Sequence, residues 1–127
     1  MNEQIRRSLS RGHRIDITTT GRKTGEPRRI EIVFHNIDGR LIITGSPRAD
    51  RKRAWLLNLE ADPRFTFHIK RSGAEADLPA RARVITDDAE RRAIAEWVGT
   101  NAWSGVDVDA MTAYAPMIEV TIDDLAA

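Results

Sequence analysis

The side chains of this chain best placed to do chemistry are basic and come in two runs. Arg22 and Lys23 lie in the polar stretch GRKTGEP over Gly21–Pro27, with Arg28 and Arg29 directly behind. Arg48, Arg51, Lys52 and Arg53 crowd a second stretch that ends at Trp55. Guanidinium and ammonium groups gathered this densely bind anions, phosphate and carboxylate above all. Other chemistries lack their residues. The absence of cysteine removes disulfides, thiolate zinc sites, iron–sulfur clusters and a cysteine nucleophile. His13, His35 and His68 are too widely spaced for a local metal motif, and Asp107 and Asp109 lack the rest of a calcium loop, so no metal is expected.

The elements that must position these cations follow from periodicity. Arg14–Thr20 alternates and is rich in β-branched residues, which predicts a strand; Gly21–Pro27 is a turn; Arg28–His35 is a second strand with Ile30, Ile32 and Phe34 on one face. Asn36–Gly39 closes a hairpin, and Leu41–Gly45, apolar on both faces, predicts a central third strand. A short helix over Ala54–Ala61 is expected, capped near Asp50 and stopped by Asp62-Pro63. Strands are predicted at Arg64–Lys70, Ala80–Thr86 and Met117–Ile122. Between the last two, Asp87 and Glu90 form a capping box for a second helix with Ala89, Ala93, Ile94, Trp97 and Val98 on its inner stripe. Thr100–Ala115 reads as irregular. His68 falls on the polar face of its strand, the position of a surface or internally satisfied histidine.

Six mostly antiparallel strands in so short a chain must curl to bury their faces, so the fold class is mainly β (α+β), a barrel carrying two helices. In an up-and-down order, loops 21–27 and 46–53 share one rim. Arg22, Lys23, Arg48, Arg51, Lys52 and Arg53 then meet there beside a helix N terminus, with Arg28 and Arg29 close below. Like charges so gathered repel one another, and an anion would relieve them. A plain solvated charged rim is the alternative. Nucleic acid is disfavoured, because Trp55 is the one aromatic near these loops and the pI is about 8.2.

Length and charge bound the rest. At 127 residues there is room for one domain, expected over 14–127 behind a flexible N-terminal segment, 1–13. No apolar run approaches a membrane span and no secretory signal opens the chain, which predicts a cytoplasmic protein. The basic start, with Ile5 and Leu9, admits at most weak peripheral membrane contact. The formal net charge of +1 divides into +8 over residues 1–71 and −7 over the remainder. Either an anionic partner for the first part or pairing between the two parts accounts for this.

Thr18–Gly25 (TTTGRKTG) with Pro27-Arg28 resembles the TTxGRK(S/T)G signature of deazaflavin (F420)-dependent nitroreductases. Trp55–Pro63 (WLLNLEADP) resembles that family's W-x-x-N-L-x-A-x-P segment. The resemblance covers about Ile15 to Lys70. It implies the split β-barrel of flavin reductases and the coenzyme F420. Nitroreduction itself is not implied, since the family tyrosines of the nitroimidazole pocket have no clear match. The expected reaction is passage of hydride to a small electrophilic acceptor such as a quinone, enone or nitro compound. The phosphodiester and glutamate tail of F420 supply the anion that the rim calls for. By the resemblance, Arg22, Lys23 and Thr24 hold phosphate and tail. Gly25, Arg28, Arg48, Arg51, Lys52 and Arg53 complete the coenzyme-binding set, and Ser46 and Trp55 lie beside the deazaflavin ring. Ser46 and Tyr114 are the candidate catalytic residues, as hydrogen-bond partners of the acceptor. The chain departs from the family at Ser46-Pro47-Arg48-Ala49, where S-K-G-G is usual, and at Arg53, where proline is usual. FMN, FAD or haem in the same barrel, and a non-enzymatic deazaflavin carrier, are the alternatives. Relatives of such barrels often form homodimers.

Overall fold

The computed structural model describes residues 3–50, 52–70 and 75–123. Strands β1 (Arg14–Thr20), β2 (Pro27–Ile37), β3 (Arg40–Thr44), β4 (Arg64–Ile69), β5 (Ala76–Val84) and β6 (Met117–Ile122) close in the order β1-β2-β3-β6-β5-β4. Every pairing is antiparallel. The β2–β3 hairpin turns on Asp38 (φ 52°) and Gly39 (φ 88°), the two left-handed residues that a two-residue loop requires. The expected barrel is therefore the observed one, with β5 starting four residues earlier than alternation suggested because Pro79 interrupts the apolar reading.

Strand β3 explains how two cores share one sheet. Leu41 and Ile43 face into the barrel with Ile15, Ile17, Phe34 and Phe67, whereas Ile42 faces outward into a second core. That second core is roofed by α3 (Asp88–Asn101) and α4 (Val108–Tyr114), which contribute Ile94, Ala95, Val98 and Met111. Helix α2 (Ala54–Ala61) carries Trp55, Leu56 and Leu59 into the barrel core and so plugs one end. The first helix, α1 (Glu3–Leu9), buries Ser8 and Leu9, and Asn36 Nδ2 donates to the Leu9 carbonyl at 2.8 Å.

Among the described residues four helices stand where two were expected. The segment expected to be flexible contains α1, because Leu9 joins the barrel core despite having few apolar neighbours in sequence. Helix α4 lies within Thr100–Ala115, expected to be irregular, because seven residues with one fully buried apolar side chain, Met111, show no periodicity; its cap is Asp107, which accepts from the Ala110 N–H. On α3, Asp87 caps the Glu90 N–H as read, but Ala89 and Ala93 are exposed and Ala95 is buried. Helix α2 is capped by Arg53 without a side-chain bond, while Asp50 pairs with Arg48. His68 is buried between Thr18 Oγ1 at 2.6 Å and Asp77 Oδ1 at 2.7 Å, a satisfied histidine on the outer wall.

A four-membered ion cluster fastens α3 to the wall. Arg40 reaches Glu119 at 2.9 Å and Glu90 at 2.6 Å, and Arg83 reaches Glu90 at 2.6 Å and Glu119 at 2.7 Å. Hydrogen bonding to Arg83 and then to Arg40 pulls the Glu90 carboxyl down to about 2 from an ordinary 4.5. A carboxylate depressed on folding stabilises in full above its unfolded value, and that contribution is lost as pH falls from 4.5 toward 2. Glu90→Gln is expected to cost roughly 1 kcal/mol at neutral pH, the pairs being partly solvated. It should also shrink the acid loss of Tm; a Tm–pH curve parallel to wild type down to about pH 3 would refute this role.

Candidate functional site

Loop 21–27 is a closed turn. The Gly21 N–H donates to the Glu26 carbonyl and the Gly25 N–H to the Gly21 carbonyl, each at 2.8 Å. Gly25 holds φ +74°, a conformation that side-chain-bearing residues rarely adopt. The turn leans on α2, where the buried Asn58 amide takes two bonds from Arg22: its backbone N–H at 3.2 Å and its Nη1 at 3.0 Å. The same amide donates to the buried Thr19 Oγ1 at 3.0 Å. Between turn and helix opens a cleft of about 350 Å³, walled by Arg22, Lys23, Thr24, Arg28, Trp55 and Asn58 among others.

The two basic runs reach the same end of the barrel, but α2 stands between them. Ala54, Trp55 and Asn58 face the first cleft, whereas Leu56 and Glu60, on the opposite side of the helix, line a second cleft of about 410 Å³ with Arg48, Ala49, Lys52, Arg91 and Tyr114. Of the six cations expected at one rim, Arg22 and Lys23 thus line the first cleft, and Arg48 and Lys52 the second.

The expected mutual repulsion is also largely absent, because carboxylates are interleaved with the cations. Arg28 meets Glu26 at 3.4 Å, Arg48 meets Asp50 at 3.0 Å and Lys52 meets Glu60 at 3.2 Å. Arg53 Nη2 donates to the Ser46 carbonyl at 2.7 Å. Arg29, which the sequence reading left out of the binding set, also lines the first cleft and pairs with Asp16.

Two cations of the first cleft differ from the rest. Arg22 is held by a neutral amide, and Lys23 has no ion-pair partner among the described residues. Their charges stay uncompensated beside the α2 N terminus, where the side chain of the cap residue bonds none of the free N–H groups of the first turn. An anion is what this arrangement accommodates.

The remaining expected residues are placed as follows. Thr24 Oγ1 accepts from the Glu26 N–H at 3.2 Å and sits at the first cleft. Trp55 is buried, packs in the barrel core and also lines that cleft. Ser46 is exposed and lines neither cleft, and Tyr114 is exposed at the second. Arg51 lies outside the described residues. Asn58 and Arg91 were missed. Asn58 had a signal, a lone amide in the apolar helix AWLLNLEA and three residues after Trp55, hence on the same face.

A family model described as F420H(2)-dependent quinone reductase matches residues 1–122. The chain belongs to that family. It is accordingly an oxidoreductase, and its coenzyme is F420. The uncompensated Arg22–Lys23 pair suits the anionic part of that coenzyme. Solved structures share the fold at low identity. A conserved hypothetical protein from Mycobacterium tuberculosis matches with TM-score 0.68 and 17% identity over 96% of this chain and 81% of its own. An F420-H2 dependent reductase, FDR-A, matches with TM-score 0.59 and 16% identity over 85% and 93%. A FAD-binding protein from Mesorhizobium loti matches with TM-score 0.63 and 13% identity over 96% and 90%. Among the described residues no helix is long and apolar enough to cross a membrane, and no three His, Asp or Glu side chains gather as a metal set.

Arg91 forms the floor of the second cleft. Its guanidinium donates to the carbonyls of Thr112 at 2.7 Å, Ile85 at 3.0 Å and Ala115 at 2.6 Å, tying α3 to the end of α4. Arg91→Met removes all three donors and is expected to destabilise by roughly 2–4 kcal/mol. The α4 segment should become the first site of limited proteolysis; unchanged Tm and cleavage would show that the three bonds carry no net stability.

Proposed function

We propose that the chain passes hydride from reduced F420 to a small electrophilic acceptor, a quinone before an enone or nitro compound, with the coenzyme's anionic tail in the first cleft. The observation that carries this reading is the contrast between Arg22 and Lys23 in the first cleft, whose charges are uncompensated, and Arg48 and Lys52 in the second, which face carboxylates. When bound, the reduced deazaflavin supplies the hydride. Arg22, Lys23, Thr24 and Arg28 hold the phosphate and carboxylates, and Trp55 offers an apolar edge near the ring. Ser46 and Tyr114 hydrogen-bond the acceptor oxygen from outside the tail cleft, orienting it and stabilising the charge that develops there. The quinone preference follows the family's description.

Replacing Arg22 and Lys23 together with alanine should weaken F420 binding more than about tenfold, each charge-assisted contact being worth about 1.5–3 kcal/mol. Arg48→Ala and Lys52→Ala should each stay within about twofold, since removing a paired cation frees its carboxylate at low net cost. A fluorescence titration with F420, with FMN and FAD in parallel, reads both; equal losses in all variants would defeat the assignment of the first cleft. Preference for FMN or FAD would change the coenzyme. Ser46→Ala and Tyr114→Phe should lower turnover with a small quinone more than they lower F420 affinity. Unaltered turnover in either variant would return that hydroxyl to the protein surface.

A further inference from the structure

Asn58 stands out in α2 for what it touches. The residue is 3% exposed and its amide makes three bonds, two accepted from Arg22 and one given to Thr19, itself 2% exposed. One oxygen therefore fixes both the backbone and the guanidinium of Arg22, and one nitrogen joins them to the end of β1. We propose that Asn58 is a positioning residue for the phosphate-bearing tail of the coenzyme, and that it discriminates tailed from tail-less deazaflavins by holding Arg22 without neutralising it. The proposal rests on the reading of the first cleft given above.

Chemistry singles out the amide for this task. An aspartate at the position would hold Arg22 at least as firmly, through a charge-assisted bond, but would cancel the positive charge that the tail must meet. A leucine of similar size would leave the buried Thr19 hydroxyl without its donor and the Arg22 N–H without its acceptor. Asparagine alone of the three satisfies both buried partners and keeps the charge outward. The contrast lies across the helix, where Lys52 on the second cleft is met by the Glu60 carboxylate at 3.2 Å and keeps little net charge for a ligand. Position 58 thus decides whether the Arg22 side of α2 keeps its positive charge.

Asn58→Asp is the informative variant, because the new ion pair preserves the latch and hence the fold. Affinities of wild type, Asn58→Asp, Arg22→Ala and the double variant are measured by fluorescence titration with F420 and with its riboside lacking phosphate and glutamates; Tm is recorded alongside. Asn58→Asp should weaken F420 by about fivefold or more, leave the riboside within about twofold, and hold Tm at or above wild type. Its effect on F420 should vanish in the Arg22→Ala background, since the two act through one charge. Wild-type affinity for F420 in Asn58→Asp would overturn the proposal, leaving Asn58 as an anchor of the fold. Equal weakening of both deazaflavins would overturn it too. A wild-type protein that binds the two deazaflavins equally would overturn this inference and the assignment of the tail to the first cleft together. Wild-type preference for F420 that Asn58→Asp leaves intact would overturn this inference alone.

Discussion

A six-stranded barrel has open ends, and the rest of this structure depends on how they are filled. Hydrophobic burial demands apolar side chains at each mouth, because the inward faces of β1, β2, β4 and β5 would otherwise meet water there. Helix α2 answers at one end by sending Trp55, Leu56 and Leu59 into the core. With those residues committed inward, the positions between them must face the surrounding loops, and Asn58 is brought against Arg22 and Thr19. The plug and the cleft are two consequences of one helix phase.

The same helix apportions charge. Cations from two loops reach one end of the molecule, yet what a ligand meets is the sum of each cation with its nearest partner. On one side of α2 that partner is an amide for Arg22 and none for Lys23 among the described residues; on the other it is Asp50 or Glu60. A cleft's selectivity for an anion comes from which cations remain uncompensated, and their number alone does not set it. The acidic second half pairs partly with the basic first half, as Arg40 does with Glu90 and Glu119. Charge asymmetry along the chain thus serves internal fastening as well as ligand attraction.

A second core under α3 and α4 keeps the other wall of the barrel out of water. Among the described residues two buried side-chain atoms have no hydrogen-bond partner, Thr44 Oγ1 and His35 Nε2, and the His35 ring lies against Trp97 and Trp103 at centroid distances of 5.9 and 5.2 Å. Burial pushes that imidazole below its ordinary value, so it sits neutral among aromatic rings. Trp97 and Trp103 are thereby accounted for as packing.

Much of this was legible in the chain itself. Alternation located β1, β4 and β6 almost to the residue, the apolar run at β3 announced a strand buried on both faces, and Asp87 with Glu90 marked the start of α3. Such features are local: a period of two or a cap three residues from its donor depends on neighbours in sequence. The TTTGRKTG and WLLNLEADP segments likewise carried the family resemblance. Tertiary structure alone decided the rest. Whether Leu9 would bury, and which side of α2 Arg22, Lys23, Arg48 and Lys52 would join, turn on contacts between segments whose spacing in sequence carries no period. Arg22 and Asn58 lie 36 positions apart. Their bond exists because the barrel closes and its end must be filled, a constraint that the chain obeys only once it is folded.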